Sequence, residues 1–186
     1  MRAPTPIPAR TTALVIDDEA PIRRLLRRML ESAECEVLEA EDAETGLGLI
    51  QRGTPAVDIV LTDWVMPGLD GHDVVEVLDR YRPGLPVVVV SGYTRTIHPL
   101  SQDASGPRIV QKPFTAQEVQ SVVGQLVTSA RRMRDAAREM ARWAVEVREA
   151  GAALHEQNRR LREQADLVAA AWAMHHARSR GERLPE

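Results

Sequence analysis

The chain has 186 residues, 44% hydrophobic and 27% charged, and a formal net charge of −3, the balance of a soluble protein with a real core. A single cysteine, Cys35, excludes an internal disulfide and fits a reduced, cytoplasmic protein. The N-terminus "MRAPTPIPAR" lacks the apolar run of a signal peptide, and no stretch reaches the ~18 apolar residues of a membrane span.

Residues 11–128 alternate strand-like and helix-like patterns. "ALVID" (13–17) is an apolar run ending in carboxylates. Pro21 then stands where a helix starts, and Ile22, Leu25, Leu26, Met29 and Leu30 follow at helical spacing. "EVLEA" (36–40) alternates as a strand does. A weak helix over 42–53 has Asp42 as its cap and Gly53 as its stop. "VDIVLTD" (57–63) reads as a buried strand, "DVVEVLDRY" (73–81) as a short amphipathic helix, and "LPVVVVSG" (85–92) as the most strand-like run. The stretch after Ser91 is poor in aliphatics and rich in breakers, which predicts a short or irregular segment before a fifth strand, "RIVQ" (108–111). A long helix begins at about Thr115.

Five strand–helix alternations predict an α/β fold with a parallel sheet covered by helices on both faces, its ligands bound beyond the carboxyl ends of the strands. Those ends carry Asp17 and Asp18, Asp63, Ser91 and Lys112. Clustered carboxylates repel one another unless a cation intervenes. Oxygen ligands completed by water and phosphate suit Mg²⁺. A carboxylate beside such a metal can attack a phosphoryl group, with an ammonium neutralising the charge that develops. Lys112 is the only lysine beside 23 arginines. A compact ammonium on a flexible stem fits a small pocket that a planar guanidinium does not. Each residue alone has an ordinary reading as a turn former, a helix cap or a solvated side chain; the set at consecutive strand ends does not.

"VIDDEAPIR", "VLTDWVMPGLDG", "VVVVSGY" and "QKPF", in that order, closely resemble the motifs of the receiver domain of bacterial two-component response regulators, over about residues 11–128. The resemblance implies a flavodoxin-like receiver fold and a phosphoryl group accepted on Asp63 from a histidine kinase. It implies Mg²⁺ held by Asp18, Asp63 and the Val65 backbone carbonyl, with Asp17 helping through water. Ser91 and Lys112 would contact the phosphoryl oxygens, and a cis bond would precede Pro113. Receivers usually carry a switching aromatic three residues before the lysine. This chain has Ile109 there, so the relay from Ser91 is expected to differ.

From Val119 onward a large apolar residue recurs every seven positions, including Met133, Met140, Val147, Leu154, Leu161 and Val168. A second series four positions later includes Ala137, Ala144, Gly151, Asn158 and Ala165. This is a coiled-coil pattern, roughly 70 Å long over residues 129–176 at 1.5 Å per residue, with Asn158 as a polar core residue that fixes register. The pattern predicts a homodimer; a helix folded back on the sheet domain is the alternative, a stripe widened by Trp143, Ala136 and Ala150 leaves room for a four-helix assembly, and parallel and antiparallel pairing both remain open. His155, in "LHEQNRRL", has a slight resemblance to the histidine box of kinase dimerisation helices, without its proline, and reads as solvated.

The expected organisation is a flexible extension (1–10), a receiver domain (11–128), a dimerisation helix (129–180) and a disordered end (181–186). Residues 1–128 carry −6 and residues 129–186 carry +3, too little for a nucleic-acid footprint. The expected protein is a non-enzymatic, cytoplasmic regulator that signals through protein contacts, without a DNA-binding domain and without membrane association. The other readings are a scaffold whose receiver fold is no longer phosphorylated, or a regulator whose output domain lies beyond Glu186.

Overall fold

The computed structural model describes residues 5–92 and 106–179, with side chains to residue 175. In chain order the elements are β1 (Thr12–Ile16), α1 (Ala20–Glu31), β2 (Glu36–Ala40), α2 (Ala43–Arg52), β3 (Ile59–Asp63), α3 (Gly71–Tyr81), β4 (Val87–Ser91), β5 (Arg108–Gln111) and α4 (Ala116–Ser179). The segment expected to be short or irregular after Ser91 falls largely at residues 93–105, outside the described residues.

The five strands form one parallel sheet in the order β2-β1-β3-β4-β5. The three central strands, β1, β3 and β4, are short aliphatic runs because both of their faces are covered. Side chains alternate across the sheet, so each strand serves two cores. Ala13, Val15, Ile59, Leu61, Val88 and Val90 face one way, against Leu26 and Leu30 of α1 and Val119, Val123 and Val127 of α4. Leu14, Ile16 and Val60 face the other way, against Ile50 of α2 and Val74 and Leu78 of α3. Each fully buried Val, Leu or Ile contributes about 1.5–3 kcal/mol of transfer free energy, so these two layers supply most of what opposes chain entropy.

Local chemistry sets the helix ends. Asp42 accepts the Thr45 amide at 2.7 Å, and Gly53 closes α2 in the left-handed region. Asp70 and Asp73 form a reciprocal capping box at the start of α3. Pro21 occupies the first turn of α1.

At the edge of the sheet away from the strand ends, residues 5–10 run beside α4. The Thr5 carbonyl lies against Gly124, where a Cβ would collide, and Ile7 packs on the core. Arg131 donates to the carbonyls of Ala9 and Arg10 and to Asp58, at 3.0–3.1 Å.

The chain divides into two compact units between Arg134 and Asp135. The second unit is the remainder of α4. Its large apolar side chains at Met140, Val147, Leu154, Leu161 and Val168 are 50–71% exposed. Ion pairs such as Arg160–Glu156 (2.9 Å) and Arg138–Asp135 (3.6 Å) lie along the helix at i,i+4 and i,i+3 spacing.

Candidate functional site

Strand register brings the chemistry to one edge. Ile16 pairs with Thr62, so Asp17 and Asp63 follow side by side at the ends of β1 and β3. Asp63 pairs with Val90, and Ser91 pairs with Gln111, which puts Ser91 and Lys112 next along the same edge. The Lys112 amide donates to the Ser91 carbonyl at 2.8 Å, tying the end of β5 to the end of β4. The Lys112–Pro113 peptide is cis.

The Lys112 ammonium, on a side chain 20% exposed, lies 3.2 Å from Asp63 Oδ1, 3.5 Å from Asp17 Oδ2 and 3.8 Å from Glu19 Oε1. Asp63 is buried, and its Oδ1 also accepts the Trp64 amide at 2.8 Å, so a cation and a backbone donor fix one carboxylate oxygen. Asp17 is fully buried. Its Oδ1 accepts the Glu19 amide, just before α1, at 2.8 Å, and its backbone carbonyl accepts Arg23 at 2.6 Å.

Asp17 Oδ2 has no hydrogen-bond donor among the described residues, although it is buried. Carboxylate oxygens of Asp17, Glu19 and Asp63 lie within 4.8 Å of one another. A buried carboxylate oxygen whose one close cation among the described residues is Lys112 at 3.5 Å, inside a cluster of carboxylates, fits a hard divalent cation such as Mg²⁺, which takes one or two carboxylates and keeps water for its remaining positions.

Burial pushes the Asp17 carboxyl upward from its ordinary value of 3.8. Lys112 and the Glu19 amide pull it down, while the Asp63 and Glu19 charges push it up, and the net direction is up. An acid raised on folding destabilises the fold while ionised, and that cost is relieved as pH falls through the raised value. Asp17→Asn is therefore expected to stabilise the cation-free protein at pH 7. It should also remove the stability gain that the wild type shows as pH is lowered toward 3.8. Urea unfolding at stepwise pH measures both; a less stable Asp17→Asn at pH 7 would contradict the assignment.

The sequence-selected residues divide as follows. Asp17, Asp63 and Lys112 come together. Ser91 is buried at the adjacent strand end. Asp18 is exposed and lies outside the cluster of Asp17, Glu19 and Asp63, in which Glu19 is likewise exposed. Val65 follows in the turn after β3 and is 63% exposed. Ile109 points to the α3 side of the sheet, packed with Trp64, Val89 and Val75.

Three contributors were not singled out from the sequence. Glu19, the residue just before α1, enters with an exposed side chain whose carboxylate lies 3.8 Å from Lys112. Trp64 supplies the amide on Asp63 and buries its ring beside Ile109, edge-on to His72 at 5.9 Å. Gly71 opens α3 directly against the backbone of the acidic strand end. A Cβ there would collide with the Asp63 carbonyl and come within 2.9 Å of Trp64 Cα. Backbone cannot yield as a side chain does, so Gly71→Ala is expected to lower stability by about 1–3 kcal/mol, read as the shift in the urea midpoint at unchanged slope. The signal was present in the dipeptide Asp70-Gly71, whose close approach to β3 only the fold reveals.

A family profile described as "Response regulator receiver domain" matches residues 13–124. Among curated proteins, the chain is 30% identical over 111 residues to the phosphate regulon transcriptional regulatory protein PhoB of Pseudomonas aeruginosa, covering 58% of this chain and 48% of that one. It is 34% identical to the transcriptional regulatory protein ResD of Bacillus subtilis, covering 59% and 45%. The chain thus spans about half the length of these relatives. The chemotaxis protein CheY of Pseudomonas aeruginosa is 29% identical over 117 residues, covering 61% of this chain and 93% of that one. Among solved structures, a response regulator receiver domain protein from Clostridium thermocellum superposes with a TM-score of 0.61 at 27% identity, over 66% of this chain and 98% of that one. NtrX from Brucella abortus superposes with a TM-score of 0.61 at 28% identity, over 69% and 29%.

Proposed function

Because the chain belongs to the response regulator receiver domain family, we propose that it accepts a phosphoryl group on Asp63 from a histidine kinase and signals through protein contacts of its tail helix. One observation carries this reading: Lys112 bridges Asp63 and Asp17 while the Trp64 amide holds Asp63 Oδ1.

In the transfer, a carboxylate oxygen of Asp63 attacks the phosphorus of a phosphorylated kinase histidine. A P–O bond forms as the P–N bond breaks, and the departing imidazole nitrogen takes up a proton. Lys112 lies where negative charge accumulates on the transferring oxygens and neutralises it without reorganising. Ser91, at the neighbouring strand end, is placed to hydrogen-bond the phosphoryl group once it is attached. Asp17 and Asp63 are the buried carboxylates that would hold Mg²⁺, with Glu19 in reach and Asp18 and the Val65 carbonyl on the adjacent backbone. The ion supplies charge neutralisation at the phosphoryl oxygens. The chain's role is stoichiometric acceptance of phosphate rather than turnover of a substrate.

The packing of Ile109 against Trp64 and Val89 supports a relay that differs from the usual aromatic swing. A β-branched side chain is restricted at χ1, and the half-buried Ile109 packs there without the ring that such a swing moves. The exposed heptad stripe of α4 supports pairing with a second copy, and the released signal is proposed to go to a protein target rather than to nucleic acid. No helix among the described residues is long and apolar enough to cross a membrane, and a cytoplasmic location is proposed with the rest.

Incubation with acetyl phosphate and Mg²⁺ tests the reading. The expected product is one hydroxylamine-labile phosphate per chain, mapped to the peptide containing Asp63 and absent when EDTA is present. A wild-type chain that takes no label from acetyl phosphate or from any kinase would defeat it.

A further inference from the structure

The two heptad series of the tail have very unequal side chains. One holds Met140, Leu154 and Leu161; the other holds Ala144, Gly151 and Ala165 at the facing positions. All are exposed along α4, and the large ones are 55–71% exposed. A helix this long with a continuous apolar stripe draws its stability from whatever covers the stripe. The cover must fit layers that alternate between small and large.

A parallel pair in register sets each residue against its own copy. Ala–Ala and Gly–Gly layers would then alternate with Leu–Leu and Met–Met layers. No single interaxial distance suits both, and every small layer leaves a void lined by apolar atoms. An antiparallel pair sets one series against the other, so each layer between residues 137 and 168 holds one small or short polar side chain and one large one at a uniform spacing. Parallel pairing gains one contact, Asn158 against Asn158 of the second copy. That gain falls in a single layer, whereas the voids recur in every small one.

Resting on the reading that the tail self-associates, we propose that it pairs with a second copy of this chain in an antiparallel register. Gly151 faces Leu154 of the second copy, Ala144 faces Leu161 and Ala165 faces Met140, about a twofold axis between Ala152 and Ala153.

Charge favours this register over its one-heptad neighbours. Arg134, Ala141, Arg148, His155 and Arg162 recur every seven residues along the flank that faces itself in such a pair. In the proposed register Arg148 lies beside His155 of the second copy, and Arg162 lies beside Ala141. Sliding by one heptad brings Arg148 against Arg162 in one direction and against its own copy in the other. Like charges directly opposed are unfavourable in both slipped states. Asn158 then faces Val147 at the open edge of a two-stranded core, where its amide keeps access to water.

Disulfide trapping in the full chain tests this. In a Cys35→Ala background, the single variants Met140→Cys and Ala165→Cys are mixed, equilibrated and oxidised, and the cross-linked peptides are mapped by mass spectrometry. The expected main product joins position 140 of one copy to position 165 of the other, with at least tenfold less cross-linking when either variant is oxidised alone. Sedimentation of the unoxidised chain should show two copies. A second pair, Ala144→Cys mixed with Leu161→Cys, reports on the same register should the first lose helicity by circular dichroism. A dimer that joins position 140 to position 140, or that forms neither mixed bridge, overturns the antiparallel register and leaves self-association standing. A four-chain assembly also overturns it. A monomer at micromolar concentration removes both the register and the self-association on which it rests.

Discussion

Replacing Asp63 with Asn is expected to abolish phosphate labelling from acetyl phosphate or a cognate kinase while leaving the fold intact. The amide has no anionic oxygen to attack phosphorus, so label falls below detection rather than by a modest factor. The neighbouring contacts survive. The Trp64 amide at 2.8 Å still meets a side-chain oxygen, and Lys112 keeps Asp17. Removing one negative charge from the Asp17, Glu19 and Asp63 cluster relieves repulsion, so the thermal midpoint should hold or rise. Radiolabel incorporation and a melting curve on the same preparation make the check. Equal labelling of wild type and Asp63→Asn would move the acceptor elsewhere.

Lys112→Ala separates two roles of the same pocket. The ammonium touches Asp63 at 3.2 Å and Asp17 at 3.5 Å, the groups between which a transferring phosphoryl group and a metal must be accommodated. Its loss removes a preorganised positive charge from the transition state, and phosphorylation by acetyl phosphate should slow by roughly 10²–10³-fold. Affinity for Mg²⁺ should move the opposite way and tighten, because a competing cation has left the carboxylates. Trp64, whose amide is bonded to Asp63, offers the fluorescence readout for the titration. Lys112→Arg should recover only part of the rate, since a planar fork needs more room than this buried edge provides. A Lys112→Ala chain that labels at the wild-type rate would show that the ammonium is a structural counter-ion alone.

Much of the sheet was legible because buried parallel strands are written as aliphatic runs between turn residues. "ALVID", "VDIVLTD" and "VVVVS" could hardly be read otherwise, and the strand ends carried the acidic and hydroxyl groups with them. The α2 helix was legible from its ends more than its middle: Asp42 and Gly53 mark it, whereas Gly46 lies close to Ile16 and weakens the helical pattern for the sake of packing. The site was less complete. Paired aspartates at 17 and 18 drew attention to themselves, whereas the exposed Glu19, whose carboxylate also reaches Asp17 and Asp63, did not. Which carboxylates converge depends on how the chain enters α1, a matter of φ and ψ rather than of residue type. Gly71 and Trp64 act through backbone proximity, which has no sequence period. The grip of Arg131 on Asp58 and on the chain near residue 10 spans more than seventy residues of sequence and could not be read from local pattern.

The solitary lysine at the carboxylate cluster has a practical consequence. Apart from the α-amino group, Lys112 is the chain's only primary amine, so an acylating reagent applied to the folded protein has one internal target, and that target sits in the pocket itself. Modification mapped to the peptide containing Lys112 therefore becomes an occupancy gauge. Anything that fills the pocket shields the amine, and a mass shift at that one residue reports it without a radioactive donor, a partner kinase or an engineered probe.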